Sequence, residues 1–415
     1  MCTQRSLMKN RYTWVTGAVT VAALYYLYYI NGEFNNDKSI NNSQAIASPK
    51  VFYKHKPVIS DVITEFVAQK TSVGLEKTTH PFVPPTDNPA KFSKIFEQFG
   101  AAEESVSDSD INYLINHYHV RGSEFLDRSS KLAFLRCNPD YTRYGHQGGF
   151  EKFLDVTPTS HGNCRKFSDM RFMNSTKVIM LVSFPGSGNT WTRIVLEQAT
   201  GIFTGSIFCD RGLRSSGFYG EQIISSNVLA IKTHYPRDGD PSIGHFHPKH
   251  VDGVIFIMRN PFDSIVSERK RQVTVAQSRG GQQHIMNVDK KHFGTNTQWK
   301  GFVNVVMKQT FPDLIRYWLD EVDIPTVVVK YEDMLTDLAT QVKKMLDFIQ
   351  IPYTKEDIDC VTNGEFNSFH RIHKSDFDPY TPELRKLVIT GLKNVESILN
   401  KHGVSYKDVI DQNNG

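Results

Sequence analysis

The sequence predicts an α/β fold: three layers, α/β/α, around a central parallel sheet, with a transmembrane helix at the N-terminus. Three observations carry this. Apolar strand-like runs recur at 178–184, 228–233, 254–259 and 326–331. Helical stretches at 190–200, 261–271, 302–321, 335–348 and 382–402 separate or follow them. Continuous apolar strands alternating with helices predict a parallel sheet covered on both faces. The first run breaks at Pro185 and two closely spaced glycines, and a helical pattern starts at Thr190. Finally, residues 12–32 contain no charged side chain.

Composition narrows the function. The chain has 415 residues, 39% hydrophobic and 22% charged, with a net charge of +4. That is enough for one large domain with appendages. The mild positive charge gives no case for nucleic acid as a partner, and no zinc-finger or RNA-binding signature is present. It suits anionic small molecules.

Residues 1–11 read as a cytosolic tail and 12–32 as a signal anchor. At about 1.5 Å per residue, a helix over the apolar stretch spans roughly 30 Å, one bilayer core. Arg5, Lys9 and Arg11 precede it, and Glu33 and Asp37 follow. The positive-inside bias therefore predicts a single-pass type II membrane protein with the rest of the chain lumenal. A cleaved signal peptide is the competing reading; the stretch is long for one and closes on Tyr and Ile instead of Ala-x-Ala. Residues 33–50, rich in Asn, Ser and Asp, read as a stem linker.

Residues 51–174 read as a mostly helical extension, with amphipathic stretches at 58–69, 89–99, 110–119 and 126–135. Asp108-Ser109-Asp110 reads as a helix N-cap. Residues 175–410 form the main domain. Sequons stand at Asn41 and Asn174. Cys137, Cys164, Cys209 and Cys360 would be lumenal, enough for two disulfides. Of the three pairings, Cys137–Cys164 is favoured as nearest in sequence; free buried cysteines are the alternative.

Three polar motifs lie at the ends of predicted strands, where ligands of parallel sheets bind. In the first, residues 181–191 (Leu-Val-Ser-Phe-Pro-Gly-Ser-Gly-Asn-Thr-Trp), a strand, a glycine loop and a helix N-terminus build an anion cradle. Asn189 follows Gly188, so the Gly-Lys-Ser/Thr of an NTPase loop is missing. In the second, Lys232-Thr233-His234, the histidine is either a satisfied structural residue or, beside Lys232 and above a phosphate loop, a proton acceptor. The third runs from Arg259-Asn260-Pro261 to Ser267. An arginine at a strand end and a serine two turns into the next helix can hold one phosphate from two sides; otherwise this is a helix start with incidental polar residues.

Together these motifs resemble the sulfotransferase family, whose sulfate donor is PAPS (3′-phosphoadenosine-5′-phosphosulfate). The loop resembles its 5′-phosphosulfate loop, Arg259 to Ser267 its 3′-phosphate motif, Lys232-Thr233-His234 its catalytic strand end, and Lys330-Tyr331-Glu332-Asp333 the segment whose Tyr lies near the adenine. Phe184-Pro185-Gly186, Thr204-Gly205-Ser206, Gly217-Phe218, Gly220-Glu221 and Asp378-Pro379-Tyr380-Thr381 bring the chain nearest the WSC-domain-containing sulfotransferases, though the cysteine-rich WSC modules are absent.

The resemblance implies a P-loop-type fold and sulfuryl transfer from PAPS, with no metal, to a hydroxyl of a glycan or glycoprotein acceptor in the Golgi lumen. Gly186, Ser187, Gly188, Asn189 and Thr190 would hold the 5′-phosphosulfate, with Trp191 and Tyr331 near the adenine. Arg259 and Ser267 would take the 3′-phosphate, and His234 would be the general base. Gly186 stands where many members carry a lysine; Lys232, in preference to Arg193, is read as its substitute, and Glu197 is a second-choice base. The family's C-terminal Arg-Lys-Gly is missing, with residues 369–374 in its place. Arg269-Lys270-Arg271 reads equally as an anionic acceptor path or a solvated helix end. The alternative function is a catalytically degenerate PAP- or PAPS-binding membrane protein; a P-loop kinase is disfavoured by the missing lysine.

Overall fold

Among the described residues, the four apolar runs and two short segments form one six-stranded, wholly parallel sheet. The computed structural model describes residues 102–116, 120–137, 169–215, 217–234, 250–277, 288–363 and 377–413, with scattered positions from 91 to 118. All of these fall in the second of two units, Pro85–Gly415.

The strands are β1 (Ile179–Ser183), β2 (Gly205–Ser206), β3 (Gly220–Glu221), β4 (Ile231–Thr233), β5 (Gly253–Met258) and β6 (Thr326–Lys330), in the order β3-β2-β4-β1-β5-β6. β1 sits between β4 and β5, in register Leu181↔Lys232 and Leu181↔Ile255. Every residue of β1 is buried. Successive side chains alternate between the two layers: Met180 and Val182 pack with Phe203 and Phe256, and Leu181 packs with Trp191 and Val195. Two apolar cores on opposite faces explain why the run is continuous in sequence. β2 and β3 have no such run and were not expected. Their pairing depends on close backbone approach, since a Cβ on Gly220 would lie 2.1 Å from the Thr204 carbonyl oxygen.

The helices are α1 (Asp108–Asn116), α2 (Arg128–Arg136), α3 (Asn189–Thr200), α4 (Arg211–Ser215), α5 (Pro261–Gln277), α6 (Thr297–Val305), α7 (Phe311–Arg316), α8 (Tyr331–Thr336), α9 (Leu338–Ile349), α10 (Lys355–Asn363), α11 (Pro382–Lys393), α12 (Glu396–Lys401) and α13 (Lys407–Gln412). α3, α9 and α10 share one core with Leu181 and Ile255; α1, α2, α6, α7 and α11 share the other with Val182 and Phe256. Ile111, Leu114, Phe134 and Leu135 therefore belong to the same core as the sheet.

Where elements differ from expectation, local chemistry gives the reason. The expected helix 335–348 is split, because Asp337 leaves helical geometry and its side chain accepts from Thr340 N (3.1 Å), capping α9. Pro312 is tolerated in the expected 302–321 helix because α6 and α7 are joined by a π turn, Val306–Thr310, in which Phe311 N–H bonds Val306 O. Ser107, one residue before the expected acidic cap, caps α1: its hydroxyl accepts from Asp110 N at 3.2 Å and donates to Asp110 Oδ2 at 2.8 Å.

The favoured Cys137–Cys164 pairing is overturned: Cys137 is bonded to Cys209. Sequence proximity does not decide pairing; packing does. α2 lies against the segment after β2, with the Arg214 guanidinium 4.5 Å from the Phe134 ring centroid. Cys360 is disulfide-bonded as well. Among the described residues no helix is long and apolar enough to cross a membrane. The expected span 12–32, the linker 33–50, the helix 58–69, the Asn41 sequon, Cys164 and residues 369–374 lie outside the described residues.

Candidate functional site

Because every strand is parallel, the segments following β1, β4, β5 and β6 leave the same edge of the sheet. These carry the loop 184–188, His234, Arg259 and Tyr331. The chain turns from one side of β1 to the other here, the switch point at which such sheets bind ligands.

The loop is built on two left-handed glycines, Gly186 (φ 80°) and Gly188 (φ 90°). Ser187 N–H closes the turn onto Phe184 O (3.2 Å), so that amide is used within the loop. The first helical bond of α3 runs from Thr192 N to Gly188 O (2.9 Å). Asn189 and Thr190 amides thus have no acceptor inside the helix, and the dipole's positive end faces the strand ends. Asn189 Nδ2 donates to Leu181 O (3.1 Å) and Ser183 Oγ (3.2 Å), which holds the helix start onto β1. Its Oδ1 is buried without a partner.

Arg259 and Tyr331 close on this loop. Arg259 Nη1 donates to Gly186 O (2.7 Å), its guanidinium lies 4.3 Å from the Tyr331 ring centroid, and its Nε is buried and unpaired. Ser267, on the inner side of α5, has its Cβ 3.0 Å from where a Gly186 Cβ would stand. Trp191 is buried, edge-on to Tyr331 with centroids 5.7 Å apart. Glu332 ties the two outer motifs together, since its Oε1 accepts from Asn260 N (2.8 Å) and its Oε2 from the Tyr406 hydroxyl (3.2 Å). Neither Glu332 nor Tyr406 was singled out from sequence as a support for the site.

Lys232 on β4 and His234, the residue that follows the strand, are two positions apart, and both approach the Phe208 ring. His234 Nδ1 lies 2.8 Å from Ser183 O and 3.3 Å from Ser183 Oγ. A carbonyl only accepts, so Nδ1 carries the proton and Nε2 keeps the lone pair. Burial, and then the Lys232 charge, push the imidazole down to about 3, so His234 is neutral at physiological pH. Lys232 is 8% exposed. Among the described residues its ammonium makes no ion pair or hydrogen bond. Burial pushes it below the usual lysine value, and Glu221 raises it. A buried cation is costly, and Glu221 and Asp210 offset only part of the burial of this one.

Arg193 and Glu197 turn out to be structural. Arg193 is fully buried: Nη1 pairs with Glu221 Oε1 (2.5 Å) and Nε donates to Thr204 Oγ1 (2.7 Å). Glu197 Oε1 accepts from Thr204 N (2.8 Å) and Thr204 Oγ1 (2.5 Å). Burial, the dominant effect, lifts Glu197 to about 7. Both side chains are spent joining α3 to β2 and β3. No hydrogen bond or ion pair among the described residues ties Lys232 or His234 into this cluster. Phe208, which had no sequence signal beyond its neighbour Cys209, lies against His234 with ring centroids 5.6 Å apart. Among the described residues no cluster of His, Cys, Asp and Glu could hold a metal ion.

Comparisons with known proteins place the chain in a family. Residues 176–372 match the model of the Sulfotransferase domain. "WSCD family member CG9164" of Drosophila melanogaster is 32% identical over 222 residues, 53% of this chain; the match spans 66% of that relative, just under two thirds. "WSCD family member GA21586" of Drosophila pseudoobscura pseudoobscura is 32% identical over 229 residues, 55% of this chain and 68% of the relative. Mouse sulfotransferase SULT7A1, solved with PAP, aligns over 55% of this chain and 88% of its own at 17% identity and a TM-score of 0.35. With a sulfotransferase domain over its parallel sheet and two relatives of this kind, the chain belongs to the WSCD family.

Proposed function

We propose that this chain is a PAPS-dependent sulfotransferase of the Golgi membrane, single-pass and type II, acting on a hydroxyl of a glycan or glycoprotein. The observation that carries the reading is the pairing of Lys232 with His234: a buried ammonium that makes no ion pair among the described residues, two positions from an imidazole held neutral, both at the carboxyl end of β4, the strand beside β1. A phosphosulfate meets the need of the first, and an acceptor hydroxyl uses the second.

The residues present fit PAPS. The amides of Asn189 and Thr190 and the Thr190 hydroxyl hold its 5′-phosphosulfate, and Lys232 balances that charge in the place of a loop lysine. Arg259, whose Nε is buried without a partner, and Ser267 hold the 3′-phosphate; Tyr331 and Trp191 form the apolar wall. When bound, PAPS supplies an activated sulfuryl group whose sulfur bonds to the acceptor oxygen as its bond to the phosphate oxygen breaks. His234 takes the acceptor's proton at Nε2 while Nδ1–H stays on Ser183 O. A base so held contributes about 10²–10⁴-fold, and the fixed amides and Lys232 stabilise the spreading negative charge.

Support for the lumenal placement comes from the uncharged stretch 12–32 behind Arg5, Lys9 and Arg11, and from Cys137–Cys209, a bond that persists in oxidising compartments. The deciding experiment is labelled PAPS with the purified protein and a panel of glycans. Transfer by the wild type, with His234→Ala binding PAP but transferring nothing, supports the reading. PAP binding without transfer to any acceptor identifies a degenerate nucleotide-binding protein instead. Loss of PAP binding in a folded His234→Ala variant overturns the role given to His234.

A further inference from the structure

The connection from β2 to α4 has no part in the chemistry proposed above, yet it borders both strand-end side chains. The Phe208 ring is tilted 32° to the His234 imidazole at 5.6 Å. Lys232 Nζ lies 5.6 Å from the centroid of the same ring. One aromatic side chain therefore covers the acid–base residue and the cation together.

No long element holds that ring in place, because β2 has only two residues. Local bonds and one covalent link hold it instead. Phe208 N–H donates to Ser206 Oγ (3.0 Å), and Phe208 O accepts from Gln222 N (2.9 Å). Ile207 N donates to Lys232 O (3.1 Å), and Asp210 N to Glu221 Oε2 (3.1 Å). Between Phe208 and Asp210, Cys209 is bonded to Cys137 at the end of α2. The register adds a reason for the position: Glu221, Ser206 and Lys232 stand side by side on β3, β2 and β4. Ser206 stands between the two charged residues and also accepts the Phe208 amide, which ties Phe208 to this row.

We propose that Phe208, clamped by the Cys137–Cys209 disulfide, is the positioning residue of the His234–Lys232 pair. Its face keeps water from both groups and offsets part of the ammonium's burial by a cation–π contact. By packing on the imidazole it keeps Nδ1 on Ser183 O, which leaves Nε2 as the acceptor. The charged groups facing His234 are Lys232 on its own strand, Arg271 on α5 and Arg193 on α3; those facing Lys232 are Glu221 on β3, Asp210 beyond Cys209, Arg193 and Arg271. Desolvation outweighs each of these charges in its effect on His234, and in this proposal the Phe208 ring supplies part of it.

The inference rests on the sulfotransfer reading of His234 and Lys232, but its first readout needs no turnover. The full-length protein in detergent, labelled at histidine and assigned by signal loss in His234→Asn, is titrated by NMR. In the wild type and in Phe208→Tyr, His234 stays neutral down to about pH 5. In Phe208→Leu and in the Cys137→Ser/Cys209→Ser double variant, its midpoint rises above that pH, and kcat falls while KM for PAPS is unchanged. A wild-type midpoint near the ordinary histidine value overturns the proposal. So does a Phe208→Leu protein that melts cooperatively, binds PAP and titrates like the wild type. If Phe208→Leu does not fold, the double cysteine variant decides by the same criterion. A wild type that binds PAP without transfer defeats the sulfotransfer reading alone, since the titrations still report what Phe208 does to His234.

Discussion

A Cβ placed on Gly186 would lie 2.6 Å from the carbonyl oxygen of Ser264, on α5. The loop lysine of many sulfotransferases is therefore not simply missing here; the helix carrying Ser267 packs against the position it would occupy. Gly186 also has φ 80°, a conformation costing an L side chain roughly 1–2 kcal/mol. Gly186→Lys is expected to lower the melting temperature and to weaken PAP binding instead of accelerating transfer. Calorimetry on the variant checks both, and a stable, faster Gly186→Lys protein would refute the steric account.

Lys232 is expected to trade stability for binding. Replacing a buried ammonium that has no ion pair with an apolar side chain of similar length removes its desolvation penalty. Lys232→Met should therefore raise the thermal midpoint of the ligand-free protein. It should also lose affinity for PAP and about 10²–10³ in kcat, the usual effect of removing one preorganised charge-stabilising donor. A variant that is both more stable and fully active would show that the cation serves no anion.

Glu197 makes stability depend on pH in a stated direction. Its value in the fold is about 7, against an ordinary 4.5, so the folded protein holds a proton that the unfolded chain releases first. Its contribution is present in full below about pH 4.5 and is lost as pH rises through about 7. Glu197→Gln keeps an acceptor for Thr204 and removes the titration. The difference between wild-type and variant denaturation midpoints should thus grow in the variant's favour from acid to neutral pH; a constant difference would place the proton elsewhere.

The same cluster supplies a test of the α3 anchor. Glu221→Ala leaves the fully buried Arg193 without its carboxylate partner, a change that costs about 3–5 kcal/mol. Chemical denaturation measures it. A loss under 1 kcal/mol would mean that Thr204 and the Phe218 ring, 4.3 Å from the guanidinium carbon, hold Arg193 without help.

The lumenal placement has its own test at Asn174. Asn174 and Thr176 are exposed, in an irregular segment before the amino end of β1, whereas the candidate site lies past the carboxyl end. A glycan there leaves the site clear. In cells, an endoglycosidase-sensitive mobility shift that Asn174→Gln reduces is the expected result. Protease protection of residues 33–415 in sealed microsomes separates a wrong topology from a sequon that is merely not used.

Much of this protein is determined locally, and the sequence therefore shows it. Strands buried on both faces must be apolar throughout, so β1, β5 and β6 were legible within a residue or two. A tight turn from a strand into a helix start needs glycines in left-handed conformations, so Gly186 and Gly188 marked the loop. Parallel connectivity then sent His234, Arg259 and Tyr331 to the same edge. The tertiary structure alone decided the rest, because it depends on which distant segments pack together. β2 and β3 exist through a close backbone approach at Gly220 that no periodicity records. Arg193 and Glu197, either of which could have served the site, are consumed by Thr204, just before β2, and by Glu221 on β3. Cys137 finds Cys209 because α2 lies beside the segment after β2. That segment lays Phe208 over His234 and Lys232, a contact between residues that no spacing in the chain relates.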